Sequence, residues 1–195
     1  MRGILGNKAN AGGVVSRVAM QAQQFAGKAE ATKDESFDVL TIHFKDVCIR
    51  AEANEKAMEL HKHAVLGQIS AYAGIAKAAE DLYPEEDRDV LQIFEQAASG
   101  LASSTKERFE AKYTEKIGEP LQRYRQDLTL LSGKLTQRNS MRLDYDAARA
   151  GLQKLVKKPP KDGSKLQKAE AMTQQTGTIY NMINQEVMSR MQYYV

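Results

Sequence analysis

The four prolines of this 195-residue chain fall at only three places, Pro84, Pro120 and the pair Pro159-Pro160. Proline lacks the backbone donor, and its ring collides with the preceding turn, so each place marks where a helix must stop or bend. The stretches between them carry apolar residues at alternating steps of three and four. From Asp34 to Tyr83 this seam runs through Phe37, Leu40, Phe44, Val47, Ala51, Met58, Val65, Tyr72, Ile75, Ala79 and Leu82, with Asn54, His61 and Gln68 in its gaps. That period belongs to a helix in a coiled coil, not to a strand.

The flanking signals predict three helices, at about 33–82, 88–157 and 164–195. Thr32-Lys33-Asp34-Glu35 fits a capping box for the first, with the Thr32 hydroxyl on the Glu35 N–H. Leu82 to Asp87 reads as a turn. The second helix continues the seam through Leu121, Tyr124, Leu128, Leu131 and Leu135, then Tyr145, Ala148, Leu152 and Leu155. Pro120, preceded by Gly118, lies inside this pattern and predicts a kink rather than an end. After the breaker loop Lys157 to Gly163, Ser164 and Gln167 form a second capping box, and Tyr180, Ile183, Val187 and Tyr194 supply the last seam. At 1.5 Å per residue the second helix would be on the order of 100 Å long, too long for a compact ball. The expected fold is all-α: an elongated three-helix antiparallel coiled coil whose uncovered seams pair in a homodimer. Phe44 and Leu128, each mid-seam, are the positions expected to be buried in that core or dimer contact.

Composition narrows the function. Hydrophobic residues at 42% and charged residues at 27% exclude both wholesale disorder and an integral membrane protein. No apolar run approaches the roughly 20 residues a spanning helix needs. The single Cys48 cannot form an intrachain disulfide, residues 1–25 lack a secretory signal, and a cytosolic location is the expectation. GxGxxG, P-loop, CxxC and HExxH motifs are missing. His61 and His63 sit on different helical faces, and Glu52, Glu55 and Glu59 lack the Glu-x-x-His partners of a di-metal bundle. No catalytic residue, metal or cofactor is expected, and the chain does not read as an enzyme.

The formal charge of +3 conceals segregation: residues 34–100 carry six bases against fourteen acids, whereas 101–163 carry fourteen against eight. Within 134–168 ten bases face three acids. Such a concentration serves a polyanion, or else is a solvated helical face. Tyr145 is the only aromatic in that stretch, which argues against nucleic acid and for an anionic membrane. At the other end, Ile4, Val14, Val15, Val18 and Phe25 share one arc of a helical wheel opposite Arg2, Arg17, Gln24 and Lys28. This is the pattern of an interfacial helix, with Ile4, Val15, Val18 and Phe25 as the inserting residues. Gly3, Gly6, Gly12 and Gly13 weaken it, so the segment is expected to be disordered in water and to fold on a membrane. The other reading of residues 1–25 is a loose tail or an added packing helix.

Three stretches carry a family resemblance. Lys28 to Phe37 resembles the entry to the first long helix of amphiphysin-type BAR domains, Leu143-Asp144-Tyr145-Asp146-Ala147-Ala148-Arg149 looks like their LxDYDxAR stretch, and Ser189 to Val195 is similar to their closing segment. The resemblance implies a crescent-shaped antiparallel dimer that binds anionic membranes through its concave face and tips, with an inserting N-terminal helix (the N-BAR subclass). On that basis residues 1–25 are the inserting segment and 26–195 the BAR domain. The cations expected on the concave face and tip are Lys134, Arg138, Arg142, Lys154, Lys157, Lys158, Lys161 and Lys165. The stretch Gln137 to Arg142 keeps only two bases where the family has a dense run, which shifts reliance to the tip and the N-terminal helix. The implied function is a cytoplasmic, peripheral scaffold that senses or generates curvature on phosphatidylserine or phosphoinositide membranes, as in endocytosis or trafficking. A protein-binding coiled-coil adaptor without membrane-bending activity is the alternative.

Overall fold

The computed structural model describes residues 6–80, 82 and 88–195. Every regular element among them is helical: α1 (Gly6–Phe25), α2 (Glu35–Glu80), α3 (Arg88–Tyr113), a π-helical turn (Thr114–Gly118), α4 (Glu119–Lys157) and α5 (Ser164–Tyr194). Ile4 and the expected turn residues 83–87, Pro84 included, lie outside the described residues.

The ends of the elements follow local chemistry. α1 closes in a Schellman turn: the Lys28 N–H reaches the Gln23 carbonyl (2.8 Å) and the Gly27 N–H the Gln24 carbonyl (3.1 Å). Gly27 has φ +67°, a left-handed conformation that glycine adopts without a Cβ penalty. α2 is capped by Asp34, whose carboxylate accepts from the Phe37 N–H (3.1 Å) and the Ser36 hydroxyl (2.8 Å). The capping box expected from Thr32 is therefore displaced by two residues, because the Thr32 hydroxyl donates to Asp146. At α5 the carboxylate of Asp162 accepts from both the Ser164 N–H (2.9 Å) and its hydroxyl (2.7 Å), in place of the expected Ser164–Gln167 box.

Pro120 does not end its helix. The turn before it widens, with the Glu119 N–H reaching back five residues to the Thr114 carbonyl. A regular α-turn would press the proline ring on the carbonyl four residues earlier, and the π-turn relieves that contact.

The chain divides into two compact units. One takes the chain up to Val47 together with Thr129–Val195, and the other is Cys48–Leu128. In the first, Met20, Phe37, Phe44, Leu131, Tyr180, Ile183, Val187 and Met191 are buried, the α5 residues at steps of three and four. In the second, Ala51, Ala76, Tyr113 and Leu128 are buried, and the Tyr113 hydroxyl donates to the Met58 carbonyl (2.6 Å). Tyr72, Ile75 and Leu82, expected within the seam, are exposed instead. This unit holds α2 from Cys48 onward, α3 and only the first turns of α4, so among its described residues no third long helix covers the apolar face.

Candidate functional site

The Leu143–Arg149 stretch is a clamp inside the first unit. Asp144 accepts from Nε and Nη2 of Arg17 (2.8 and 2.7 Å), a bidentate pair that ties α1 to α4 and raises the Arg17 pKa through hydrogen bonding. Asp146 is buried and accepts from the Gln24 amide (2.8 Å), the Thr32 hydroxyl and Arg149 (3.4 Å). Arg149 also reaches the Glu30 carbonyl (3.4 Å), so the segment linking α1 to α2 lies along α4. Between the two aspartates the Tyr145 ring stacks on Tyr180, with centroids 5.9 Å apart and planes 8° from parallel. Gly177 permits this, since a Cβ there would stand 3.0 Å from the Tyr145 ring.

α1 is thus helical and docked, contrary to the disorder expected from its glycines. It docks by Arg17 and Gln24 on either side of Met20, which is buried. Its apolar stripe points away: Val14, Val15, Val18 and Phe25 are 54%, 71%, 62% and 97% exposed. A cleft of about 820 Å³ remains where Gly13 and Ser16 face Ala147, Ala148, Leu152 and Met172, so the hold is through few contacts.

The expected membrane cations separate into two groups. Arg138 is 3% exposed and is not a surface charge. Its guanidinium donates to Asn184 (2.7 Å), the Tyr180 hydroxyl (2.9 Å) and Asp34 (3.3 Å), and lies 3.5 Å from the centre of the Phe37 ring. Burial lowers the Arg138 pKa, partly countered by Tyr180 and Asp34. The expectation that Arg138 faces a membrane is corrected: it is the polar centre of the α2–α4–α5 packing. Lys134 pairs with Glu186 (3.2 Å), and half-buried Arg142 donates to the Thr32 carbonyl (3.3 Å). By contrast Lys154, Lys157, Lys158, Lys161 and Lys165 are all exposed, from the last turns of α4 across the loop to α5. None of the five makes an ion pair among the described residues.

Phe44 and Leu128 are buried within the single chain, one in each unit. The second unit carries a separate feature, an apolar groove of about 400 Å³ lined by Ile69, Tyr72, Ile75, Phe94 and Leu101. Sequence reasoning passed over Asp144 and Asp146 as receptors for α1, and Lys28 and Arg149 as neighbours. The glycine two residues after Phe25 is the signal that marks the chain reversal bringing them together.

The BAR domain family matches residues 7–193. Among characterised relatives, Protein hob3 of Schizosaccharomyces pombe is 24% identical over 91% of this chain and 68% of its own length. The Regulator of cytoskeleton and endocytosis RVS161 of Candida albicans is 21% identical over 83% of this chain and 64% of its own. Reduced viability upon starvation protein 161 of Saccharomyces cerevisiae is 22% identical over 83% and 63%. The chain thus spans about two thirds of the length of these relatives. They are of the RVS161 type, and place the chain among BAR domains without assigning it to the amphiphysin-type subclass. No helix among the described residues is long and apolar enough to cross a membrane. BAR domains are dimeric membrane-curvature scaffolds. The match covers all five helices nearly end to end, with the signature stretch clamping α1 to α4, and the chain belongs to the BAR domain family.

Proposed function

We propose that this chain acts as a peripheral, cytoplasmic, non-catalytic scaffold that binds and bends anionic membranes as a homodimer, in the N-BAR manner. The observation that carries this reading is that one unit holds both an exposed apolar helical stripe and a lysine cluster with no ion pair among the described residues. Each lysine near an anionic surface contributes about 1 kcal/mol, so Lys154, Lys157, Lys158, Lys161 and Lys165 together favour association without a specific pocket. Full burial of Val15, Val18 or Phe25 in the headgroup boundary adds on the order of 1.5–3 kcal/mol each, in one leaflet only. That asymmetry is what favours bending. The apolar groove of the second unit supports a dimer, since a second copy of the chain is the occupant a dimerising family provides. A part in endocytosis or cytoskeletal regulation is inferred from the name of the Candida relative.

Co-sedimentation and tubulation of phosphatidylserine vesicles test the reading. Reversal of Lys157, Lys158 and Lys161 to Glu is expected to weaken binding, and the unmodified protein should bind less at physiological than at low salt. Deletion of residues 1–25 should leave partial, charge-driven binding and remove most tubulation. Binding that ignores the lysines and the salt would leave a protein-binding coiled-coil adaptor as the better description.

A further inference from the structure

The Schellman turn at Gly27 does more than end α1. It sends Lys28, Ala29 and Glu30 back against α4, where with Gln23, Arg149, Gln153, Lys154 and Lys157 they enclose a cleft of about 170 Å³. That is well above the roughly 10–15 Å³ one water needs. Four cations line it, Lys28, Arg149, Lys154 and Lys157, against Glu30 and Asp146. Asp146 is already engaged by Thr32, Gln24 and Arg149. Lys28, Lys154 and Lys157 make no ion pair among the described residues. Like charges held together in a concave site raise the local potential and favour an anion.

We propose that this cleft is a discrete binding site for a phosphorylated ligand, with Arg149 and the three lysines closing around a phosphate group. Against Glu30 and Asp146 the four cations leave a net of +2, which a carboxylate of one charge half matches and a phosphate monoester of about −1.5 to −2 matches in full. The Arg149 Nη2 donates to both the Glu30 carbonyl and Asp146, which orients the guanidinium before the ligand arrives and leaves Nη1 and Nε as its donors toward the cleft. The cleft has no aromatic lining on which a base would stack, which disfavours a nucleic acid. The same chemistry is offered by a phosphoinositide headgroup and by a free phosphate ester. The soluble site stands apart from the membrane reading, and only its lipid form rests on it.

Calorimetric titration of the full chain with inositol hexakisphosphate tests the site directly. Saturable binding near one per chain is expected, weakened at least tenfold by Lys28→Glu and less than twofold by Lys168→Glu, an exposed lysine of the same unit that does not line the cleft. Gly27→Ala alters no charge and has room for its Cβ, but strains the left-handed turn that places Lys28. It should weaken binding severalfold while circular dichroism shows the helices retained. Equal losses in Lys28→Glu and Lys168→Glu, or no saturable binding, would overturn the proposal and leave only diffuse attraction. Vesicles of matched surface charge then identify the source. A preference for phosphatidylinositol bisphosphate over phosphatidylserine that Lys28→Glu abolishes supports the site as a headgroup site. Equal vesicle binding with the soluble binding intact supports it as a site for a free phosphate ester. Loss of all vesicle binding with the soluble site intact removes the membrane reading and not this one.

Discussion

Replacing Arg138 by Ala removes a buried charge that joins α2, α4 and α5. The change strips a donor from Asn184, Tyr180 and Asp34, and the cation from the face of Phe37. Breaking a buried pair in this way costs about 3–5 kcal/mol. Asp34 keeps the Asn184 amide (3.0 Å), the Ser36 hydroxyl (2.8 Å) and the Phe37 N–H (3.1 Å), which places the expected loss at the lower end. About 3 kcal/mol corresponds to a fall in Tm of roughly 6–12 °C for a chain of this size. Arg138→Lys keeps the charge without the fork and should lose about half as much. Thermal and urea unfolding by far-ultraviolet circular dichroism measure both. The pH dependence gives a second arm. Burial pushes the Asp34 carboxyl upward, but hydrogen bonds from Asn184, Phe37 and Ser36, with the Arg138 charge, outweigh it and hold the group below its usual value. A carboxyl depressed in the folded state contributes stability that is complete above its unfolded value of about 3.9 and is lost as pH falls through the folded one. Arg138→Ala should therefore flatten the acid limb of the stability profile. A loss below about 1 kcal/mol, or vesicle binding reduced in the folded variant, would return Arg138 to the surface and refute the reasoning.

The remaining predictions concern the clamp and the second unit. Arg17→Glu should repel Asp144 and speed chymotryptic cleavage after exposed Phe25, and the double variant Arg17→Glu/Asp144→Arg should restore the slow rate. Identical rates in all three proteins would show that this pair does not hold α1. Tyr113→Phe should cost about 1 kcal/mol through loss of the hydrogen bond to the Met58 carbonyl, read as a Tm lowered by roughly 2–4 °C. An unchanged Tm would remove that bond from the account of how α3 is held to α2.

What could be read before the structure was whatever depends on neighbours along the chain. The breakers bracket α2 to α5 closely, and the α5 seam at Tyr180, Ile183 and Val187 is the buried one. What could not be read depends on partners remote in sequence. Thr32 and Asp34 are both good capping residues, and the choice between them is made by Asp146, 114 residues away. Arg138 counts as a surface base until Asp34 and Asn184 are brought to it. The wheel of α1 identified the apolar stripe, yet the docking stripe is defined by Asp144 and Asp146, which no local periodicity reports. The seam failed at Tyr72 and Ile75 because heptad spacing records a tendency to pack and not the presence of a partner.

The widened turn at Thr114–Gly118 also sets a rotational phase. From Tyr113 to Leu121 is eight residues and from Leu121 to Leu128 is seven, so the stretch holds one residue more than whole heptads. The π-turn absorbs that surplus and lets Tyr113 and Leu128 both be buried. Deleting one residue there would restore regular α-helical hydrogen bonds, yet it would turn α4 up to Leu128 by about 100° relative to Tyr113. The local repair would be the global fault. A one-residue change of length in the loop at 158–163 carries no such penalty, since no helix runs through it to transmit the rotation. Length variation among chains of this design should therefore collect in that loop and be excluded from the five residues before Glu119.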